Sequence, residues 1–243
     1  MSLRNQPIYC DLCSQSQSNE DSTMPKLQPI NQPESLAKIA YDVLRESILT
    51  NKLKRDELYT EMSLAKDLGI SRTPVREALL ELSSQGLVTF LPRKGVMLNR
   101  YTKQDVDEIF ELRKAIELAA IEKVARSFQS HDFGKIEKIL QNQRKAAKKK
   151  DYFAYIQADR VFHTTFSEMI ANRRFVAVME NIRDMIHLMG IKALVIENRA
   201  EEVIAEHEKV LEAVRTGKPL EAREALSHHL DQSKQAVVET LQE

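Results

Sequence analysis

Gly69-Ile70-Ser71-Arg72-Thr73-Pro74-Val75-Arg76-Glu77-Ala78-Leu79 is the stretch from which the rest of the chain can be read. Gly69 ends a short helix built on Met62, Leu64, Ala65 and Leu68. Ser71 offers the N-cap of the next helix, and Pro74 is tolerated in its first turn. Val75, Ala78, Leu79 and Leu82 recur at helical spacing up to Gly86, so the second helix buries that stripe while Arg72 and Arg76, four apart, share another face. Upstream, Ser35 caps an earlier helix with apolar positions Leu36, Ile39, Ala40, Val43, Leu44 and Ile48. Downstream, Leu87-Val88-Thr89-Phe90-Leu91 is β-prone, Pro92 through Gly95 is a turn, and Val96-Met97-Leu98 is a second short strand. Helix, tight turn, helix and hairpin spell a winged helix-turn-helix over residues 35–100.

Two arginines one turn apart are, alone, as readily a solvated helix face as a binding surface. Set in a helix-turn-helix with a wing, they suit a DNA groove, because arginine can hold a guanine edge bidentately or neutralise a phosphate. Ser71 and Thr73, beside the free N–H groups of a helix start, suit phosphate or base contacts, and Arg93 and Lys94 at the wing tip can reach the neighbouring backbone. The charge distribution agrees. The whole chain has 36 basic and 36 acidic residues, yet residues 35–100 carry 11 basic against 8 acidic, an excess placed where a DNA-binding face needs one.

Composition bounds the remainder. A chain of 243 residues, 42% hydrophobic, with 6 Gly, 7 Pro and no Trp, favours helices over a strand-rich fold. No stretch is apolar enough to span a bilayer and no secretory signal is visible, so a cytoplasmic protein without a membrane partner is expected. Residues 1–34, with Pro7, Pro25, Pro29 and Pro33 among Ser, Gln and Asn, read as a poorly structured tail, and Met24 is an alternative start. Cys10 and Cys13 lie in that tail, where they can build neither a disulfide framework nor a four-thiolate site. From Thr102 onward the pattern is amphipathic helix throughout, about 102–128, 132–150, 151–171, 173–195, 198–216 and 219–241. The expected fold is mainly α: the winged head, a boundary near Arg100-Tyr101, then an all-α bundle of six or seven helices over residues 101–243.

The histidines of that bundle sort by helix face. Asp159 and His163, four apart, lie among Tyr155, Ile156, Phe162, Phe166 and Ile170, so the carboxylate is buried and needs a partner. A cation held jointly with His163 would supply one. His207 faces inward with Val203, Ile204, Val210 and Leu211. His229 shares its side with Ala222, Ala225, Leu226 and Ala236, whereas the adjacent His228 points among Glu221, Glu224 and Asp231. Each inward histidine could instead be a core residue bonded to a carbonyl. His131 reads as a cap or exposed residue, and His187 as a surface pair beside Arg183 and Asp184.

The head, with Leu64-Ala65, the run from Gly69 to Leu79 and Gly86-Leu87-Val88, resembles the DNA-binding domain of the GntR family of bacterial transcription regulators. The helical part, with Asp159-Arg160-Val161-Phe162-His163, Glu206-His207 and a late His229, resembles the effector (FCD) domain of the FadR-type branch of that family. The resemblance implies a homodimer on a palindromic operator of double-stranded DNA, usually a repressor relieved by a metabolite. It implies that Asp159, His163, His207 and His229 hold one divalent metal, with open positions for water or a small organic acid, and that Arg113 lines the effector pocket. Met62 stands where some members carry a DNA-contacting arginine, so that role is not transferred.

Imidazoles with one carboxylate suit zinc best, while nickel, iron and manganese also fit. The leading expectation is a non-enzymatic, metabolite-responsive repressor. A regulator with a purely structural metal and a metal-dependent hydrolase are the alternatives; the latter lacks a visible general base or nucleophile beside the ligands.

Overall fold

The structure, a computed structural model, describes residues 34–241 apart from Val195 and Glu197. The tail, with Cys10 and Cys13, lies outside the described residues. Helix α1 (Leu36–Leu49) begins where the Ser35 hydroxyl accepts the Lys38 amide, and it buries Ala40, Tyr41, Leu44 and Ile48. A two-residue strand β1 (Leu58–Tyr59) leads into α2 (Glu61–Leu68), opened by a reciprocal cap between Thr60 and Ser63 and closed by Gly69 at φ +66°. Helix α3 (Arg72–Ser84) places Val75, Ala78, Leu79 and Leu82 in a core shared with α1. Strands β2 (Val88–Leu91) and β3 (Gly95–Leu98) form the antiparallel wing.

Strand β1, not foreseen from the sequence, pairs with β3 to give the sheet order β1-β3-β2. Gly95 permits this. A Cβ there would lie 2.2 Å from the Tyr59 carbonyl oxygen, so any side chain would push the third strand away.

Six long helices follow: α4 (Lys103–Arg126), α5 (Gly134–Lys149), α6 (Tyr152–Met169), α7 (Arg173–Ala193), α8 (Arg199–Arg215) and α9 (Pro219–Leu241). Their apolar stripes meet in one core containing Phe110, Ile121, Ile136, Phe162, Phe166, Val210 and Leu226. A mainly α protein, winged helix-turn-helix plus helical bundle, is what the spacing predicts. Among the described residues no helix is long and apolar enough to cross a membrane.

Helix α7 is where bundle and head meet. Leu188 joins the core of the head, Met185 lies against Gly86, and Arg55 donates to the Leu188 carbonyl at 3.2 Å. Asp184 accepts two hydrogen bonds from the Arg45 guanidinium of α1. These contacts correct the reading of His187 as a surface residue. It is 3% exposed, and of the charges beside it Asp184 binds Arg45 across the junction while Arg183 pairs with Glu180 on α7 itself. His131 is half-buried rather than exposed, with its Nε2 2.9 Å from the Ser127 hydroxyl. Phe133, not His131, is the cap residue of α5.

Candidate functional site

The head presents charge without burying it. Arg72 and Arg76 leave 66% and 64% of their side chains in solvent, on the first turns of α3. Both lean on one carboxylate, Glu61 of α2: Arg72 Nη2 stands 3.2 Å from its Oε2 and Arg76 Nη1 3.7 Å from its Oε1. Glu61 thereby preorients both guanidinium groups, a role the sequence reading did not assign. Ser71 is the N-cap residue of α3, yet its hydroxyl makes no capping bond and stays available beside exposed Thr73. Arg93, at φ +62°, and Lys94 form the exposed tip of the wing.

The bundle does the opposite and gathers polar groups inside. His163 of α6, His207 of α8 and His229 of α9 are 2%, 0% and 1% exposed. Their Nε2 atoms converge: His229 to His163 is 3.2 Å and His207 to His229 is 3.3 Å. Asp159, one turn before His163, brings its carboxylate oxygens to 3.7 Å from His207 Nε2 and 3.9 Å from His163 Nε2.

The other ring nitrogens all meet acceptors. His163 Nδ1 is 2.5 Å from Glu117 Oε2, His207 Nδ1 is 3.0 Å from Gln143 Oε1, and His229 Nδ1 is 2.7 Å from Glu206 Oε2. These partners are held in turn. Arg113 Nε donates to Glu117 at 2.8 Å, Gln143 donates to Asp159 at 3.2 Å, and Arg199 donates to Glu206 at 2.7 Å. Each acceptor fixes its imidazole as the Nδ1–H tautomer, so the lone pair of each neutral ring lies on Nε2.

Burial, then the positive charge of the neighbouring histidines, holds His207 well below the usual imidazole range. Burial also lowers His229, against the opposing pull of Glu206. Burial alone would raise Glu117, but Arg113 and His163 bring its carboxyl down to about 2. The three rings therefore turn their Nε2 atoms toward one another, with the Asp159 carboxylate at the edge of the cluster.

That donor set fits a divalent metal. Three bare nitrogens this close repel one another, and a shared cation removes the repulsion. Ligand nitrogens about 2.0–2.1 Å from one ion stand roughly 3.0–3.4 Å apart, the spacing of His229 Nε2 from both His163 and His207. Asp159, His163, His207 and His229 could hold such an ion.

Beside the four residues opens a pocket with an internal cavity of about 70 Å³. Arg113 lines it, 3% exposed and engaged with Glu117. Arg160, Arg183 and Arg199 line it too. Burial, then the charges of Arg183 and Arg45, lowers the Arg160 guanidinium from its usual range, with Asp184 opposing.

Two sequence families cover the chain. The family described as "Bacterial regulatory proteins, gntR family" matches residues 36–98, and the FCD domain matches residues 108–232. The chain is a GntR-family transcription regulator with an FCD domain.

Among this regulator's relatives is the uncharacterized HTH-type transcriptional regulator YdhC of Bacillus subtilis, 28% identical over 84% of this chain and 91% of its own length. The gluconate operon transcriptional repressor of Bacillus licheniformis is 25% identical over 71% and 73%. In fold, the regulator is similar to E. coli McbR/YncC, with a TM-score of 0.72 at 23% identity over 86% of this chain and 100% of that one. These relatives are regulators and none is an enzyme, so the regulator is not read as a hydrolase.

Sequence reasoning missed Glu61 and the acceptors Glu117 and Gln143. Gln143 carried a readable signal: it shares the helical stripe of Ile136, Ile139, Leu140 and Ala146, and it is fully buried.

Proposed function

We propose that the regulator is a dimeric repressor that binds a palindromic operator and releases it when a small carboxylate enters the FCD pocket. The observation that carries this reading is the convergence of three Nε2 atoms whose Nδ1 partners are all fixed. Asp159, His163, His207 and His229 would hold one divalent ion, zinc being the best match to the donor set. When bound, that ion supplies a Lewis-acidic position for a ligand carboxylate.

The protein's own residues do the rest. Arg113 holds Glu117, which fixes His163; Arg199 holds Glu206, which fixes His229; the apolar pocket wall keeps water scarce. Ser71, Arg72, Thr73 and Arg76 would enter the major groove, while Arg93 and Lys94 rest on the flanking backbone. The ligand shifts DNA affinity only if it binds the DNA-competent and released forms with different affinity. The joint of α7 with α1 is the place where such a difference can be transmitted.

The test is metal analysis and native mass spectrometry of the purified protein, followed by binding to an operator selected from random DNA. A dimer with one metal per chain, whose DNA affinity falls with a small organic acid only while metal is present, supports the reading. A metal-bound dimer that no acid affects leaves a purely structural ion. A metal-free protein with an intact acid response overturns the metal-centred switch.

A further inference from the structure

The polar lining of the pocket extends beyond the histidine cluster, and the metal-centred reading uses only the cluster. Around the rest of the wall the arginines are matched: Arg113 by Glu117, Arg199 by Glu206 and Glu202, Arg183 by Glu180 and Asp184. Asp184 is itself already taken by both arms of Arg45. Arg160 alone among these pocket arginines forms no ion pair with any described residue, although it is half-buried and lines the pocket. An unmatched cation in such a place, beside two further arginines, is costly unless a ligand brings the counter-charge.

A second unsatisfied group lies on the same wall. His187 is buried against Phe153, and its Nε2 has no hydrogen-bond partner. A polar atom on the ligand would satisfy it. The same wall also carries Ile156, Met179, Ile186, Leu194 and Val203, which suit carbon chain rather than further charge.

Resting on the function proposed above, we infer that the effector is a dianion: an acid whose second anionic group, carboxylate or phosphate, sits at the other end of a short carbon chain and is received by Arg160 beside His187. The first carboxylate answers the metal end. The second answers the one pocket arginine that forms no ion pair with a described residue, and it lands next to the charges that join α7 to α1. An acid with a single charge leaves Arg160 in the same unmatched state as the empty pocket.

The experiment is calorimetric titration of the full-length, metal-loaded protein. The probes are the α,ω-dicarboxylates from malonate to adipate, each against the monocarboxylate of equal chain length, with 3-phosphonopropionate as the phosphate-like arm. At least one dianion is expected to bind tenfold or more tightly than its monoanion. Arg160→Gln is expected to erase that advantage while leaving monoanion affinity and metal content unchanged. The ligand-free Arg160→Gln protein should melt at the same temperature or higher, because it loses an unmatched charge.

An advantage that survives Arg160→Gln, no dianion preference in the wild type, or a clear fall in melting temperature in the ligand-free variant would each overturn the inference. If monoanions bind only with metal present but dianions bind no better, the metal-centred reading stands and the dianion does not. If no acid binds, or binding ignores the metal, the underlying reading fails and takes this one with it.

Discussion

The regulator handles charge in two contrasting ways. In the head, Arg72 and Arg76 are about two-thirds exposed and share a single carboxylate at 3.2 and 3.7 Å, so their partner can be exchanged for DNA at little cost. In the bundle, each of the three clustered histidines has its own acceptor, and two of the three acceptors have an arginine behind them. Loose, solvated pairing lets a surface trade partners. Tight, layered pairing preserves a geometry that only one kind of guest completes.

The sharpest way to break the contrast is to compare His229→Ala with His228→Ala. The first removes a proposed metal ligand and leaves Glu206 facing a void beside Arg199. It should abolish metal retention and cost about 3 kcal/mol or more, roughly 6–12 °C in melting temperature. The second alters an exposed neighbour and should change neither quantity. Thermal melts with metal analysis decide it, and equal behaviour of the two variants would remove the metal centre from the account.

Acid tests the same burial without mutation. His207 and His229 have folded pKa values below the usual 6.5, so below that pH the unfolded chain binds more protons than the folded one. The metal-stripped protein should therefore melt at a nearly constant temperature above about pH 6.5 and progressively lower beneath it. Glu117, with its pKa depressed to about 2, keeps its contribution throughout the range above its ordinary 4.5 and does not mask the effect. A melting temperature that rises on acidification from pH 7 to 5 would reverse the sign and refute the neutral-ring assignment.

In the head the effects should be smaller and confined to DNA. Arg72→Ala or Arg76→Ala should weaken operator binding by about 1–3 kcal/mol, roughly 5- to 150-fold, with melting temperature unchanged. Fluorescence anisotropy on the selected operator measures this. The gentlest change is at the wing, where Arg93→Ala or Lys94→Ala should lower the salt dependence by about one phosphate contact each and leave sequence preference intact. Loss of sequence preference in the wing variants would mean the wing reads bases.

Much of this architecture was legible because helices announce themselves by period and punctuation. Ser35, Gly69 and Pro219 mark ends that the structure places at or beside those residues, and the inward faces of His163, His207 and His229 follow from their i±3 and i±4 neighbours. What stayed hidden depended on distant partners. Leu58–Tyr59 is too short to show alternation and exists as a strand because Gly95, far along the chain, lets it approach. His187 looked solvent-facing because its neighbours are charged, yet Asp184 finds Arg45, 139 residues away. Glu117 reads as an ordinary partner for Arg113 one turn earlier, and only the fold adds His163 on its other side.

Leu188 on α7 fills space among the apolar residues of the winged head, Met185 presses its sulfur to 3.1 Å from where a Gly86 Cβ would stand, and Arg45 has its carboxylate on the same helix. The reading module is thus not a detachable cassette. A chain cut after residue 100 would carry a gap where Leu188 belongs and an arginine without its counter-ion. A chimera that grafts this head onto a foreign sensor would work only if the sensor supplies an equivalent of Asp184, Met185 and Leu188, in the same order on one helical face.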